Sequence, residues 1–223
     1  MQSSHPSINE TRRPASGIRF SAGSWIPAAV IAALAVPLML WLWKGPISPR
    51  GGLPIPGVIM IGVPQFFQSD PRWGREALGN TRGTLGAEGC AVTSAAMVLR
   101  FYGMDVDPGR LNRFLGENQG YEGRGWLRWE SAAEFTPGQI EKAYEDLPSH
   151  ARIDWNLLSG NPVIVRIRRP DGITHFVVIV GKRGFEYLIR DPAGHGSASG
   201  GAPRALGDLG VPVEALRYYR RIR

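Results

Sequence analysis

The chain of 223 residues contains a single cysteine, Cys90. One thiol excludes an intramolecular disulfide and cannot build a cysteine-based zinc site. Histidine is scarce as well. His5, His150, His175 and His195 are the whole set, and no pair is spaced H-x-x-x-H. No metal or other cofactor is therefore implied. Internal repeats are lacking, and so is a basic stripe. The formal charge of +7 is spread unevenly: residues 1–50 hold five basic and one acidic residue, leaving twenty-one and eighteen for the remainder. Four of those later arginines, Arg217, Arg220, Arg221 and Arg223, crowd the C-terminus, where a solvated tail is expected. What remains is close to neutral, so nucleic acid is excluded as a partner.

What is present divides the chain into four parts. Residues 1–24 are polar and rich in Ser, Pro and Arg, which predicts a disordered cytoplasmic tail. Residues 25–43 form a run of nineteen without charge, with Trp25 at one end and Trp41 and Trp43 at the other. That length suits a transmembrane helix, and the tryptophans suit the two interfaces of a lipid bilayer. A cleaved signal peptide is the competing reading, with Ala33-Leu34-Ala35 as the cleavage site. Arg12, Arg13 and Arg19 precede the run, against Lys44 and Arg50 just after it, which points to a cytoplasmic N-terminus and an extracytoplasmic domain. Residues 44–57 read as a Pro/Gly-rich linker, and 58–223 as the folded domain, with 43% apolar residues in the whole chain to build a core. No oligomeric state is read from the sequence.

Within the domain, a helical first half precedes strands, an α+β architecture. Residues 59–63 suggest a short strand. Ala91, Ser94, Ala95, Val98 and Tyr102 recur at helical spacing, so a helix over 90–102 is predicted, ended by Gly103. Asp107-Pro108 reads as an N-cap and first helical position. Thr136-Pro137-Gly138-Gln139 reads as a capping box opening a helix to about 146, and a helical turn is expected over 154–158. Strands are predicted over 162–168, 173–180 and 185–189, the last two joined by a hairpin at Lys182-Arg183-Gly184.

Cys90 at a predicted helix N-terminus lies where the helix field favours thiolate, the nucleophilic form. A lone cysteine is otherwise a small buried hydrophobe. A free thiol in an exported domain is unusual enough to favour chemistry. Its base is sought among four histidines. His5 lies in the tail, His150 lacks a nearby acid, and His195 sits in a Gly/Ser-rich loop. His175 opens a strand, and the hairpin as drawn sets it opposite Asp191, with Cβ atoms about 4.5–5.5 Å apart. A register slip of one residue would undo that pairing.

The chain order Cys, His, Asp resembles the papain-like cysteine peptidases, and among them the bacteriocin-processing (double-glycine leader) peptidase-like family. The resemblance rests on Val63-Pro64-Gln65-Phe66-Phe67-Gln68-Ser69-Asp70, Gly89-Cys90-Ala91-Val92-Thr93-Ser94, Thr174-His175-Phe176-Val177-Val178 and Ile189-Arg190-Asp191-Pro192. It implies a papain-like fold, with Cys90 as nucleophile, His175 as general base then acid, and Asp191 as its orienter. It implies Gln68 as side-chain donor to the oxyanion, with Gln65 as the alternative. Gln68 stands twenty-two residues before Cys90, further than in the leader-processing members, and Thr84 occupies the near position. The stretch 70–89 therefore reads as an insertion or lid. Trp73, Trp126 and Trp129 either line a groove or fill the core, and Glu88 is expected to face solvent. The function expected is a membrane-anchored cysteine peptidase acting on a peptide or protein. A cell-wall peptide amidase and a non-catalytic peptide-binding domain are the alternatives.

Overall fold

In a computed structural model of the chain, the residues described are 30, 31, 33, 35, 45–194 and 201–222. The chain divides into two units, Met1–Trp43 and Lys44–Arg223. Of the apolar run 25–43, only Val30, Ile31, Ala33 and Ala35 are described, and all four are helical. The expected transmembrane helix and the tail before it thus lie mostly outside the described residues. Among the described residues, no helix is long and apolar enough to cross a membrane.

The second unit holds, in chain order, β1 (Arg50–Met60), α1 (Leu85–Glu88), α2 (Cys90–Phe101), α3 (Pro108–Glu117), β2 (Tyr121–Glu122), β3 (Trp126–Leu127), α4 (Trp129–Ala133), β4 (Ile140–Asp146), α5 (His150–Leu158), β5 (Val163–Arg168), β6 (Thr174–Arg190), β7 (Arg204–Ala205), a 3₁₀ turn (Leu206–Leu209) and β8 (Val213–Arg221). The main sheet is antiparallel in the order β1-β6-β5-β8-β4, with β7 also on β6. Its centre is the apolar run of β5 against β6, where Val163, Ile164 and Val165 face Ile179, Val178 and Val177.

α2 packs on that sheet. Residues Val92 to Leu99 are buried without a break, and small side chains at Thr93, Ser94, Ala95 and Ala96 let the helix approach closely. A helix buried on every side belongs in the middle of a core. α3 starts as its sequence predicts, with the Asp107 side chain accepting from the Arg110 N–H and Pro108 in the first turn.

Three expectations are corrected. Residues 50–57 belong to strand β1 rather than to a linker. Pro54 and Pro56 are tolerated because β1 is an edge strand, where register shifts on either side of Ile55 absorb them. The helix expected to about 146 is edge strand β4, paired with β8 from Ile140↔Arg221 to Asp146↔Leu216. Gly138 there has φ +76°, and the Thr136 hydroxyl is buried with no partner, so no capping box forms. Nor is the C-terminus a solvated tail through 217–221. Arg217 is buried in β8, pairs with Glu145 at 3.2 Å, and lies over the Trp129 and Phe176 rings.

β6 is one strand of 17 residues, yet it doubles back. Sixteen residues of straight strand would span about 50 Å, whereas the side chains of His175 and Asp191 touch. Gly184, at φ +57°, marks the reversal. Asp154 of α5 clasps residues on both sides of it: Oδ1 accepts from Lys182 Nζ at 2.5 Å and from the Tyr187 hydroxyl at 3.1 Å. Its Oδ2 accepts from the Leu53 N–H at 2.6 Å, and Lys182 also donates to the Gly51 carbonyl at 2.7 Å, so the same cluster pins β1. Gly52, at φ +72°, is required there, because a Cβ would sit 2.1 Å from Asp154 Oδ2.

Lys182 is fully buried and Asp154 is 2% exposed. Removing one partner of a buried ion pair leaves an uncompensated charge, so Asp154→Ala should lose about 3–5 kcal/mol in urea unfolding. The apolar pair Asp154→Leu with Lys182→Met should recover most of that loss. A single variant as stable as wild type would show that the clasp is dispensable.

Candidate active site

Gly89 serves two helices at once. It closes α1, its N–H donating to the Leu85 carbonyl at 2.8 Å, and its own carbonyl accepts the Thr93 N–H of α2 at 2.9 Å. A Cβ at this position would lie 2.3 Å from the Leu85 oxygen, so only glycine lets the second helix start there. Cys90 becomes the first residue of α2, half-buried, beside backbone N–H groups that have no partner within the helix. One turn on, the Ser94 hydroxyl donates to the Phe176 carbonyl at 3.3 Å. That bond joins the face of α2 that carries Cys90 to the residue following His175.

His175 is 5% exposed, and its Nε2 meets Asp191 Oδ1 at 2.7 Å. With Nε2 committed, Nδ1 is the nitrogen that remains for the thiol. Burial works against a charge on His175, but hydrogen bonds with Asp191 and Cys90 and the charges on both outweigh it and raise its pKa to about 9. Burial pushes Asp191 the other way, upward, yet its carboxyl is held below the ordinary carboxylate value. The hydrogen bond and charge of His175, the Ala193 N–H at 2.9 Å and the Arg204 charge produce that net lowering. Arg204 Nη2 reaches Asp191 Oδ2 at 2.5 Å. The structure thus brings Cys90, His175 and Asp191 together. His5 and His195 lie outside the described residues, and His150 Nδ1 bonds the Tyr187 hydroxyl at 3.0 Å in the Asp154 clasp.

The two glutamines differ. Gln68 is buried, and its Nε2 donates to the Gly86 carbonyl of α1 at 2.9 Å, leaving the second amide hydrogen uncommitted. Gln65 Nε2 donates to the carbonyls of Phe66 and Asp191, at 2.8 and 3.1 Å, and so braces the turn that carries Asp191. The Gln68 N–H donates to the Pro192 carbonyl of the same turn at 2.9 Å. Thr84 caps α1, its hydroxyl accepting from the Ala87 N–H at 3.2 Å.

The stretch 70–89 is anchored to the core at three side chains. Trp73, Leu78 and Leu85 are buried, and Trp73 Nε1 donates to the Phe67 carbonyl at 2.9 Å. Trp129 is likewise buried against Phe176, whereas Trp126 is 75% exposed. Glu88 faces solvent. Sequence reasoning missed Ser94 as a tether and Arg204 altogether. Ser94 carried a signal, standing four residues after Cys90 on one helical face. Arg204 carried none, since nothing local ties it to Asp191. Among the described residues, no group of three or more His, Cys, Asp or Glu could hold a metal ion.

Residues 60–202 match the family model of the Peptidase C39-like family. Among solved structures, a crystal structure of a candidate C39-like peptidase from Bacillus anthracis is similar at 21% identity, covering 76% of this chain and 100% of its own, with a TM-score of 0.47. No curated protein matches the chain.

The charged His175–Asp191 pair predicts a pH signature. Because the folded pKa of His175 lies above its ordinary 6.5, its contribution to stability is complete below 6.5 and lost as pH rises through about 9. The urea midpoint of the wild type should fall across that window, while that of Asp191→Asn stays flatter. In NMR titration, His175 should titrate near 9 in the wild type and well below that in Asp191→Asn. A wild-type midpoint at the ordinary value would contradict the geometry.

Proposed function

The chain belongs to the C39-like peptidase family, and from that premise we propose that it is a cysteine peptidase, hydrolysing peptide bonds through Cys90, His175 and Asp191. The observation that carries the reading is the 2.7 Å contact of His175 Nε2 with Asp191, made by an imidazole whose pKa is raised in part by Cys90. A nucleophile, a base and an orienting acid in sequence of contact are what acyl transfer by a thiol needs. Cys90 Sγ, its proton already held by His175, attacks the scissile carbonyl carbon. The tetrahedral intermediate collapses as His175 gives that proton to the leaving amine, which leaves a thioester on Cys90. Water, deprotonated by His175, then attacks the thioester and releases the acid. The Cys90 backbone N–H and the free amide hydrogen of Gln68 are the proposed donors to the oxyanion.

The place of action is part of the same proposal. The uncharged run 25–43 anchors the chain in a bilayer, and the arginines before it keep the N-terminus cytoplasmic, so the peptidase unit faces outward. The partners are a lipid bilayer and a peptide or protein substrate. Protease digestion of intact cells that spared the domain would overturn the outward orientation.

A peptidyl acyloxymethyl ketone, which alkylates activated thiols, tests the chemistry without a known substrate. Wild-type protein should be labelled at Cys90 at neutral pH, Cys90→Ala not at all, and His175→Ala far more slowly. Equal labelling of wild type and His175→Ala would sink the reading. With a hydrolysable peptidyl anilide, Gln68→Ala should lower kcat about 10²-fold with little change in KM. Gln65→Ala should cost less, because that amide is already spent on backbone carbonyls.

A further inference from the structure

Asp191 is held from two directions. Its Oδ1 accepts from His175 and from the N–H of Ala193, two residues on in its own turn. Its Oδ2 is bound by Arg204, which comes from a different strand. The backbone of Arg204 is fixed where it stands. Ile189 pairs with Arg204 and Leu188 with Ala205, and the Arg190 guanidinium donates to the Gly201 carbonyl just upstream. From opposite Ile189, the Arg204 side chain runs two residues along β6 to reach the carboxylate.

We infer that Arg204 is a positioning residue of the site: by tethering Oδ2 it stops the Asp191 carboxylate from turning about its Cβ–Cγ bond and keeps Oδ1 aimed at His175 Nε2. The inference takes its functional meaning from the peptidase reading. The bland alternative is a surface ion pair, since the Arg204 side chain is 47% exposed and exposed pairs contribute little. The partner differs from a surface carboxylate, however. The Asp191 side chain is only 9% exposed, and its orientation decides which oxygen meets the imidazole. A carboxylate bound at one oxygen only can swing. Bound at both, it cannot.

The two accounts predict opposite signs. Removing a nearby cation and nothing else would strengthen the field of Asp191 at His175 and raise the histidine pKa. Removing a tether lets the hydrogen bond lengthen and lowers it. The test uses the full-length protein, as wild type, Arg204→Ala and Arg204→Lys, with NMR titration of His175 and alkylation of Cys90 by iodoacetamide. Arg204→Ala should lower the His175 midpoint from about 9 by about one pH unit and slow alkylation at pH 6 about tenfold, and Arg204→Lys should restore most of both. An unchanged or raised midpoint overturns the inference. So does a loss that follows the unfolding temperature and is not restored by lysine. Wild-type alkylation indifferent to His175→Ala sinks the peptidase reading instead, while the histidine titration still decides for or against Arg204.

Discussion

The hydrogen bond between His175 and Asp191 exists only because β6 folds back on itself. The two residues stand sixteen apart in sequence, and in an extended segment that distance is closed by one reversal near Gly184. Everything at the open end depends on the register set at the turn. That register is clasped rather than left to the turn alone. Asp154 takes one hydrogen bond from Lys182 before the reversal and one from Tyr187 after it, and the Lys182 ammonium also lies over the Tyr187 ring. A slip of one residue would swap the faces of every side chain beyond the turn. It would expose buried Lys182 partners and separate His175 from Asp191 in the same step. A buried ion pair is weak evidence for stability, and its best-attested use is to specify one arrangement among several. Its position here, astride the turn, fits that use.

Cys90, the proposed nucleophile, is placed by a second constraint, close approach. Gly89 lets α1 run into α2 without a connecting loop, so Cys90 is the first residue of a helix that is buried almost from its start. Thr93, Ser94, Ala95 and Ala96 supply no bulk, and Ser94 reaches the Phe176 carbonyl directly. The helix can therefore lie close enough to β6 for Cys90 to meet an imidazole that projects from the strand. The segment before α1 belongs to this arrangement too. Trp73, Leu78 and Leu85 anchor it in the core, and its Gly86 carbonyl holds the Gln68 amide. Gln68 and Gln65 then tie the same segment to the turn of Asp191, through the carbonyls of Pro192 and Asp191.

Local chemistry made part of this legible before any coordinates. Asp107-Pro108, the helix beginning at Cys90 and the β-branched run of β5 each announce themselves through capping, spacing or alternation, and each forms where those signals put it. The meeting of His175 with Asp191 was legible because a hairpin is a local device. Elements specified by distant partners were not. β4 carries a plausible helix start and becomes a strand because β8 pairs with it, and β8 itself shows no local strand signal among its arginines. β1 has the composition of a linker and is a strand because β6 and the Asp154 clasp receive it. Arg204 was invisible for the same reason, since its partner lies thirteen residues back across a strand pairing.

The charge balance at the site bears on which half of the proposed reaction is demanding. Asp191 carries one negative charge and faces two cations, His175 and Arg204. With a pKa near 9, His175 is protonated at neutral pH before any substrate arrives. In the proposed reaction the imidazole thus begins as an acid, already holding the proton that the leaving amine needs. Acylation then draws on a proton that is in place, and deacylation must take one from water with a ring that has just lost its own. The second task needs a neutral imidazole in a site built to favour the charged one. Part of the stabilising interaction must therefore weaken during turnover, and turning the Cys90 sulfur into a thioester would do that, since Cys90 is among the causes that raise His175. The acyl-enzyme itself would lower the pKa of the base that has to destroy it, which lets one imidazole serve both halves of the cycle.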